Sequence, residues 1–243
     1  PFRKAVSPVS RLWVLLPLFS LITFGVFYVL WPYVWSDPVG KLTAAWEFFR
    51  TIGMGNAVLY LGTYYQAGIN LPWHYPWVTL ATQTPVEILL LALAGIKAVW
   101  RLAMKKDVYP LLIFFWFVIG MGRFAMPHTV IYAKIRHFIE VMPAFFLLAG
   151  FGLQWVSGII WRCCSQQRFL AKILLFVGLE VVCIHLVWID VTYYPYEPSY
   201  FNFLVGGTKT VAKRKLFDVE HWATGTREAM QFVNREKGEI TVY

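Results

Sequence analysis

A basic and aromatic cluster at residues 128–140 contains the side chains best suited to chemistry. It precedes an apolar run, and its members are His128, Tyr132, Lys134, Arg136, His137 and Glu140. Arginine offers a planar fork of donors that fits phosphate oxygens, and lysine and histidine add further donors. The cluster therefore predicts contact between a lipid phosphate and Arg136, His137 and Lys134. The same spacing also fits basic side chains that only anchor a helix end at a membrane boundary.

A second cluster is the segment Pro72-Trp73-His74-Tyr75-Pro76, which precedes another apolar run. Two prolines bracket three rings and predict a rigid turn. Trp73, His74 and Tyr75 could line a groove for a polyprenyl chain or a sugar. The alternative is an aromatic belt at the entrance of a membrane helix, where amphipathic rings concentrate.

Three ionisable residues, Glu87, Glu180 and His185, lie inside apolar runs. Such residues are costly in a membrane and are therefore functional candidates. We expect them to make structural polar contacts inside a helix bundle. The sequence places no basic residue beside either glutamate.

No motif of a soluble enzyme class is present: the sequence has no GxSxG, HExxH, GxGxxG, P-loop or CxxC pattern. We therefore predict no cofactor and no metal site, although the pattern does not decide whether a divalent metal assists. Three cysteines, two of them adjacent, provide no disulfide framework.

The composition indicates a chain whose solvent is lipid. Of its 243 residues, 58% are hydrophobic and only 14% are charged, whereas soluble domains carry about 25% charged residues. Aromatic residues reach 19%, with 12 tryptophans, which suits many membrane–water boundaries. The net charge of +9 does not indicate nucleic acid, because the basic residues cluster beside apolar runs.

Five apolar runs approach the roughly 20 residues that a spanning helix needs. They cover residues 12–31, 77–99, 108–125, 138–161 and 170–190. The predicted fold is an all-α, polytopic bundle of about five transmembrane helices, residues 1–190. Residues 191–243 form a small extracytoplasmic C-terminal segment, with a short helix among its charges.

The basic residues of the short loops predict the orientation. They cluster before the first run, between the second and third, and between the fourth and fifth, as Arg3, Lys4, Arg11, Lys97, Arg101, Lys105, Lys106, Arg162, Arg168 and Lys172. Basic loops stay on the cytoplasmic side. We expect the first residues to be cytoplasmic, and the outer loop 32–76 and the C-terminal segment to be extracytoplasmic.

The outer loop 32–76 is predicted to contain a helix that lies in the membrane interface. Its apolar residues recur at helical spacing over 38–52, with charged residues off that stripe. Asp37 followed by Pro38 supplies the start, as an N-cap and a proline at the first helical position.

Several segments resemble the GT-C superfamily of membrane glycosyltransferases, in particular the family 39 proteins that include dolichyl-phosphate-mannose protein mannosyltransferases and aminoarabinose transferases. They are LPWHYP at 71–76 with Thr84-Pro85, YAKIRHFIEVMP at 132–143, and the tail from Tyr194 to Gly207 with FDVEHW at 217–222 and Arg227-Glu228-Ala229. These similar patterns occur in the family's order between about residue 31 and residue 235, a range that covers most of the chain.

The resemblance implies transfer of a sugar from a polyprenyl- or dolichyl-phosphate donor on the extracytoplasmic side, with a groove for the lipid. It also implies a catalytic acid in a loop before the first residue of this sequence, so no catalytic residue is assigned within it. Ala133 stands where the family has an aspartate. Alternatives are a non-catalytic subunit of a membrane complex and a transporter, but a transporter predicts repeated halves that this sequence lacks.

Overall fold

The computed structural model describes residues 8–132, 134–219 and 225–235. Nine α-helices and one two-stranded antiparallel sheet occur within these ranges. The helices are α1 (Pro8–Leu30), α2 (Pro38–Thr51), α3 (Tyr75–Gln83), α4 (Val86–Met104), α5 (Tyr109–Phe124), α6 (Met142–Cys163), α7 (Arg168–Tyr193), α8 (Gly207–Arg214) and α9 (Thr226–Arg235). The strands are β1 (Ala57–Tyr60) and β2 (Thr63–Gln66).

The chain divides into two compact units, the first ending at Ile52 and the second beginning at Gly53. The first unit contains α1 and α2. Helix α2 begins as predicted: the carboxylate of Asp37 accepts a hydrogen bond from the backbone N–H of Gly40 at 3.0 Å, and Pro38 is the first helical residue. None of its side chains is buried within the unit.

Three helices are long and apolar enough to cross a membrane: α1, α6 and α7. Large apolar side chains remain exposed along α1 and α7, and such surfaces are unfavourable in water. The three helices indicate a multi-pass membrane protein. Helix α5 is apolar but has only 16 residues, and α4 carries Glu87, Lys97 and Arg101 along its 19 residues.

Helices α4 and α6 pack closely through glycines. A side chain at Gly95 would collide with the carbonyl oxygen of Leu148, and one at Gly152 would collide with that of Leu91. Small residues at a crossing let two helix backbones approach, which is how membrane helices associate without a hydrophobic driving force. Aromatic rings from α5 and α6 complete this packing, with Phe117 and Phe145 at 5.6 Å between centroids.

The predicted span 77–99 is two helices, because the chain breaks at Thr84-Pro85. Thr84 is extended (φ −102°, ψ 139°), as expected of a residue before proline. Asn202 from the tail caps the break: its amide donates to the carbonyls of Ala81 and Thr84, each at 2.7 Å, and its backbone N–H donates to Thr82 at 2.9 Å. Carbonyls at a helix end need partners, and this buried side chain supplies them.

The outer loop contains a β-hairpin that the all-α prediction missed. Leu61 and Gly62 form its two-residue turn, both with positive φ (49° and 84°), as a tight hairpin turn requires. The tail packs on this hairpin: Tyr60 pairs with Phe217, and the backbone N–H of Gly62 donates to Leu216 at 3.1 Å. Residues 200–219 therefore belong to the core of the second unit, and α9 is the short helix predicted near the end of the chain.

The other predicted spans differ from the helices mainly at their ends. Residues 12–31, 108–125 and 170–190 correspond to α1, α5 and α7. The run 138–161 corresponds to α6, but its first residue, Phe138, ends a separate 3-10 helix, Lys134–Phe138, which contains three of the six residues of the predicted cluster.

Candidate functional site

Lys134 occupies the start of the 3-10 helix between α5 and α6, and its side chain is directed into the protein. The residue is only 7% exposed. Its ammonium donates to the carbonyl of Val219 at 3.4 Å and lies 5.6 Å from the ring centroid of Phe201. Burial lowers the pKa of Lys134 from 10.5 to about 8, while the charge of Asp218 acts in the opposite direction.

Tyr75 lies against the same buried region. The Pro72–Pro76 turn leads into α3 and places the Tyr75 ring in the core, 2% exposed. Tyr75, Lys134 and Asp218 line one small cavity together with Gln83 and Thr79. Burial raises the pKa of Tyr75 above its ordinary value, and the negative charge of Asp218 adds to this effect. The phenol therefore stays protonated and can donate a hydrogen bond.

Asp218 enters this region from the tail. Its carboxylate accepts a hydrogen bond at 3.0 Å from the backbone N–H of Leu59 in β1. Nearby, the phenol of Tyr60 lies 2.5 Å from Nδ1 of His74, and the Tyr60 and Tyr75 rings meet edge to face. We call Tyr60, His74, Tyr75, Lys134 and Asp218 the buried polar cluster, in which His74 and Asp218 are only partly buried.

The sequence predicted His74, Tyr75 and Lys134 as site residues but missed Tyr60 and Asp218. No local signal marks Tyr60, because its contacts come from segments far along the chain. Asp218 lies within the FDVEHW segment of the resemblance, and that was the available signal.

The three predicted phosphate ligands do not form one cationic patch. Lys134 is buried, whereas Arg136 is exposed. His137 is half-buried, with its ring 4.8 Å from that of Tyr132. Burial, and then the positive charge of Arg136, lowers the pKa of His137, so its imidazole is neutral at pH 7. Arg136 is therefore the exposed cation of the three.

The three predicted groove residues also separate. Trp73 is exposed and borders a cavity of about 200 Å³ that is also lined by His128 and Phe124. His74 is bonded to Tyr60, and Tyr75 is buried in the cluster described above. Of the three rings, only Trp73 faces an open cavity.

Glu87 has a basic partner that the sequence did not reveal. Its carboxylate lies 2.7 Å from Nδ1 of His185, which connects α4 to α7. The two residues are 98 positions apart, so spacing could not predict the pair. This agrees with the expected role in packing. Glu180 is exposed on α7, so the expected interior contact is not made among the residues that the structure describes.

Metal binding has no visible basis in the ranges that the structure describes. They contain no group of three or more His, Cys, Asp or Glu side chains that could hold a metal ion. What the cluster provides instead is a lysine of lowered pKa, a carboxylate and a protonated phenol. Such groups can orient polar ligands and stabilise charge in a low-dielectric setting.

Comparison of the chain with protein-family models, with curated proteins and with solved structures gave no significant match.

Proposed function

We propose that this protein is the C-terminal half of a GT-C type glycosyltransferase, which transfers a sugar from a polyprenyl- or dolichyl-phosphate donor on the extracytoplasmic side of a membrane. One observation carries the proposal. The three segments that resemble the family lie far apart along the chain, yet each contributes a residue to the same small cavity of the buried polar cluster. Tyr75 comes from the first segment, Lys134 from the second and Asp218 from the third.

The tail is joined to the other segments by specific contacts. Asn202 caps the break between α3 and α4, and the carbonyl of Val219 accepts the hydrogen bond of Lys134. A tail that served only as a linker would not need these buried contacts. This convergence supports a common site at one end of the second unit.

The five-span arrangement is part of the proposal. Helices α4 and α5 would add two crossings to those of α1, α6 and α7. Four crossings, α4 to α7, would then separate the β-hairpin from the tail, and an even number returns the chain to the same side. The pairing of Tyr60 with Phe217 supports this count. The basic loops favour the hairpin side as extracytoplasmic.

Arg136 is our candidate for the donor phosphate. Transfer breaks the bond between the anomeric carbon and the phosphate oxygen, and the acceptor oxygen forms the new bond. The leaving phosphate takes the bonding electrons and gains negative charge, which a guanidinium fork can stabilise. Neutral His137 can donate one further hydrogen bond. We assign no residue of this chain to the removal of the acceptor's proton.

Lys134 is the first residue of the 3-10 helix that contains Arg136, and its side chain belongs to the buried polar cluster. Since the Lys134 ammonium is engaged with Val219 and Phe201, we propose that it positions the 3-10 helix that displays Arg136. Trp73, beside its cavity, is our candidate for contact with the lipid chain or the sugar.

The test uses the purified full-length protein, with undecaprenyl phosphate as the probe for binding and an undecaprenyl-phosphate-linked sugar as the donor for transfer. We expect Arg136→Ala to weaken binding about 10-fold or more, as for loss of a charged hydrogen bond, and to reduce sugar transfer about 10²–10³-fold. Arg136→Lys should also be impaired, because a point charge does not replace the fork.

The matched control is Arg214→Ala, which removes an exposed arginine from α8. It should leave binding and transfer unchanged. Near-normal binding and turnover by correctly folded Arg136→Ala would overturn the role of Arg136.

A second candidate function is a non-catalytic subunit of a membrane complex with the same fold. The observation favouring it is that cluster groups are engaged within the chain: Lys134 with Val219, Asp218 with Leu59, and His74 with Tyr60. This alternative predicts no binding of undecaprenyl phosphate by the wild-type protein.

A further inference from the structure

We propose that the cleft between the C-terminal ends of α4 and α6 binds the phosphate group of an anionic membrane lipid. The cleft has a volume of about 520 Å³, within the usual range for ligand sites. It is distinct from the buried polar cluster, which lies beside the N-terminal end of α3.

Basic side chains surround one tryptophan in this cleft. The ammonium of Lys97 and the guanidinium of Arg101 lie 5.2 Å and 5.3 Å from the ring centroid of Trp155. Lys97 and Arg101 are four residues apart and therefore share a face of α4, and Lys105 directly follows the last residue of this helix. Arg162, two turns beyond Trp155 on α6, completes the basic rim.

The tight α4–α6 crossing explains why these groups meet. Gly95 and Gly152 hold the two backbones in contact, and Lys97 and Trp155 follow these glycines within one turn of each helix. Cation–π contacts then fix the direction of Lys97 and Arg101. The arrangement is therefore a consequence of helix packing and is not a random surface array.

The charge of the cleft favours an anion. Its described lining residues include Arg101, Lys105 and Arg162 and no carboxylate, so the repulsion between the cations is not compensated by the lining. Phosphate oxygens match such a set of donors. Basic pockets between membrane helices are suited to anionic headgroups.

The apolar wall indicates that the phosphate belongs to a lipid. Ala98, Leu102 and Phe151 line the same cleft, and α6 is one of the helices able to cross a membrane. A phospholipid at this boundary would place its headgroup on the basic rim and its acyl chains along the apolar wall.

The experiment uses the full chain in phosphatidylcholine nanodiscs with a graded fraction of phosphatidylglycerol. Native mass spectrometry after detergent extraction counts the phosphatidylglycerol molecules that remain bound. We expect the wild-type protein to retain phosphatidylglycerol in preference to phosphatidylcholine. The double variant Arg101→Gln/Arg162→Gln should lose about 10-fold or more of this preference, and Trp155→Leu should reduce it less.

The matched control, Arg168→Gln/Lys172→Gln, removes two positive charges from the start of α7 that do not line the cleft. It should keep the wild-type preference. Equal losses in the two double variants would show a general charge effect and overturn the site, as would a wild-type protein without preference. Lys105→Gln gives a second, single-charge test if the double variant is unstable.

Soluble glycerol 3-phosphate, added to the nanodiscs that contain phosphatidylglycerol, distinguishes the source of the phosphate. Competition at low millimolar concentration would show that the headgroup phosphate alone is recognised. Lack of competition with retained phosphatidylglycerol would show that the intact lipid is required.

Discussion

At the scale of single residues, Lys134 combines two unfavourable features: a positive φ of 54° and a buried ammonium. A bulky residue with positive φ needs support from its surroundings. Here the support comes from the hydrogen bond to Val219, the ring of Phe201 and the charge of Asp218. Several distant segments hold Lys134 in this energetically unfavourable position. This favours a role for Lys134 in positioning the site.

The lowered pKa of Lys134 predicts a specific pH dependence. Below about pH 8 the lysine is protonated in both the folded and the unfolded state, and the cost of its buried charge is fully present. Between about 8 and 10.5 the folded state releases the proton first. The unfolded state then binds more protons, so stability rises with pH by an amount on the order of 3 kcal/mol.

We therefore expect the free energy of unfolding of the wild-type protein to rise relative to that of Lys134→Met as the pH increases from 7.5 to 10. Unfolding in detergent, followed by circular dichroism, measures the difference. The control is Lys209→Met, at an exposed position of α8. The difference in free energy of unfolding between wild type and this variant should stay constant over the same pH range. Parallel curves for wild type and Lys134→Met would contradict the buried-ammonium interpretation.

At the scale of elements, neighbouring residues in the sequence predicted the helix starts and the apolar helices that depend on local chemistry. Asp37-Pro38 located the start of α2, and apolar length located α1 and α7. The same kind of signal was present at Thr84-Pro85 and at Leu61-Gly62, where it marked a helix break and a hairpin turn. The apolar length of residues 77–99 led to the prediction of one span across Thr84-Pro85. No turn was predicted at Leu61-Gly62.

Long-range contacts could not be predicted in the same way. The pair of Glu87 with His185 joins residues 98 positions apart, and Asp218 meets Lys134 only because the tail packs on the β-hairpin. The inward direction of Lys134 is also a tertiary property. The sequence located the basic segment but not which of its side chains is exposed.

The α4–α6 crossing gives a prediction at this scale. Gly95→Ala would place a methyl group against the Leu148 carbonyl, and the backbones would have to separate. We expect a loss of about 1–3 kcal/mol, as for overpacking, seen as a thermal midpoint lowered by several degrees.

Gly150→Ala is the matched control, because this α6 position is open within 4 Å. It should be neutral or slightly stabilising, since alanine favours helix over glycine by up to about 1 kcal/mol. A wild-type midpoint for Gly95→Ala would show that the crossing tolerates separation.

At the scale of the whole molecule, the side of the membrane reached by each loop can be tested. The β-hairpin and the tail lie together, because Tyr60 pairs with Phe217 and Leu216 accepts a hydrogen bond from Gly62. Helix α4 leads away from this end, so residue 105 should lie on the opposite side. The basic loops favour that opposite side as cytoplasmic.

Single cysteines provide the measurement, in a background where Cys163, Cys164 and Cys183 are replaced by alanine. All three are at least partly exposed, so their replacement should be tolerated. We expect Leu61→Cys and Lys213→Cys to react with a membrane-impermeant maleimide from the outer side of intact cells. Lys105→Cys should react only after the membrane is opened, because one crossing separates it from the hairpin.

Labelling of residues 61 and 213 from different sides would refute the even number of crossings between them. Labelling of all three residues from outside would show that α4 does not cross, and the five-span proposal would then be wrong.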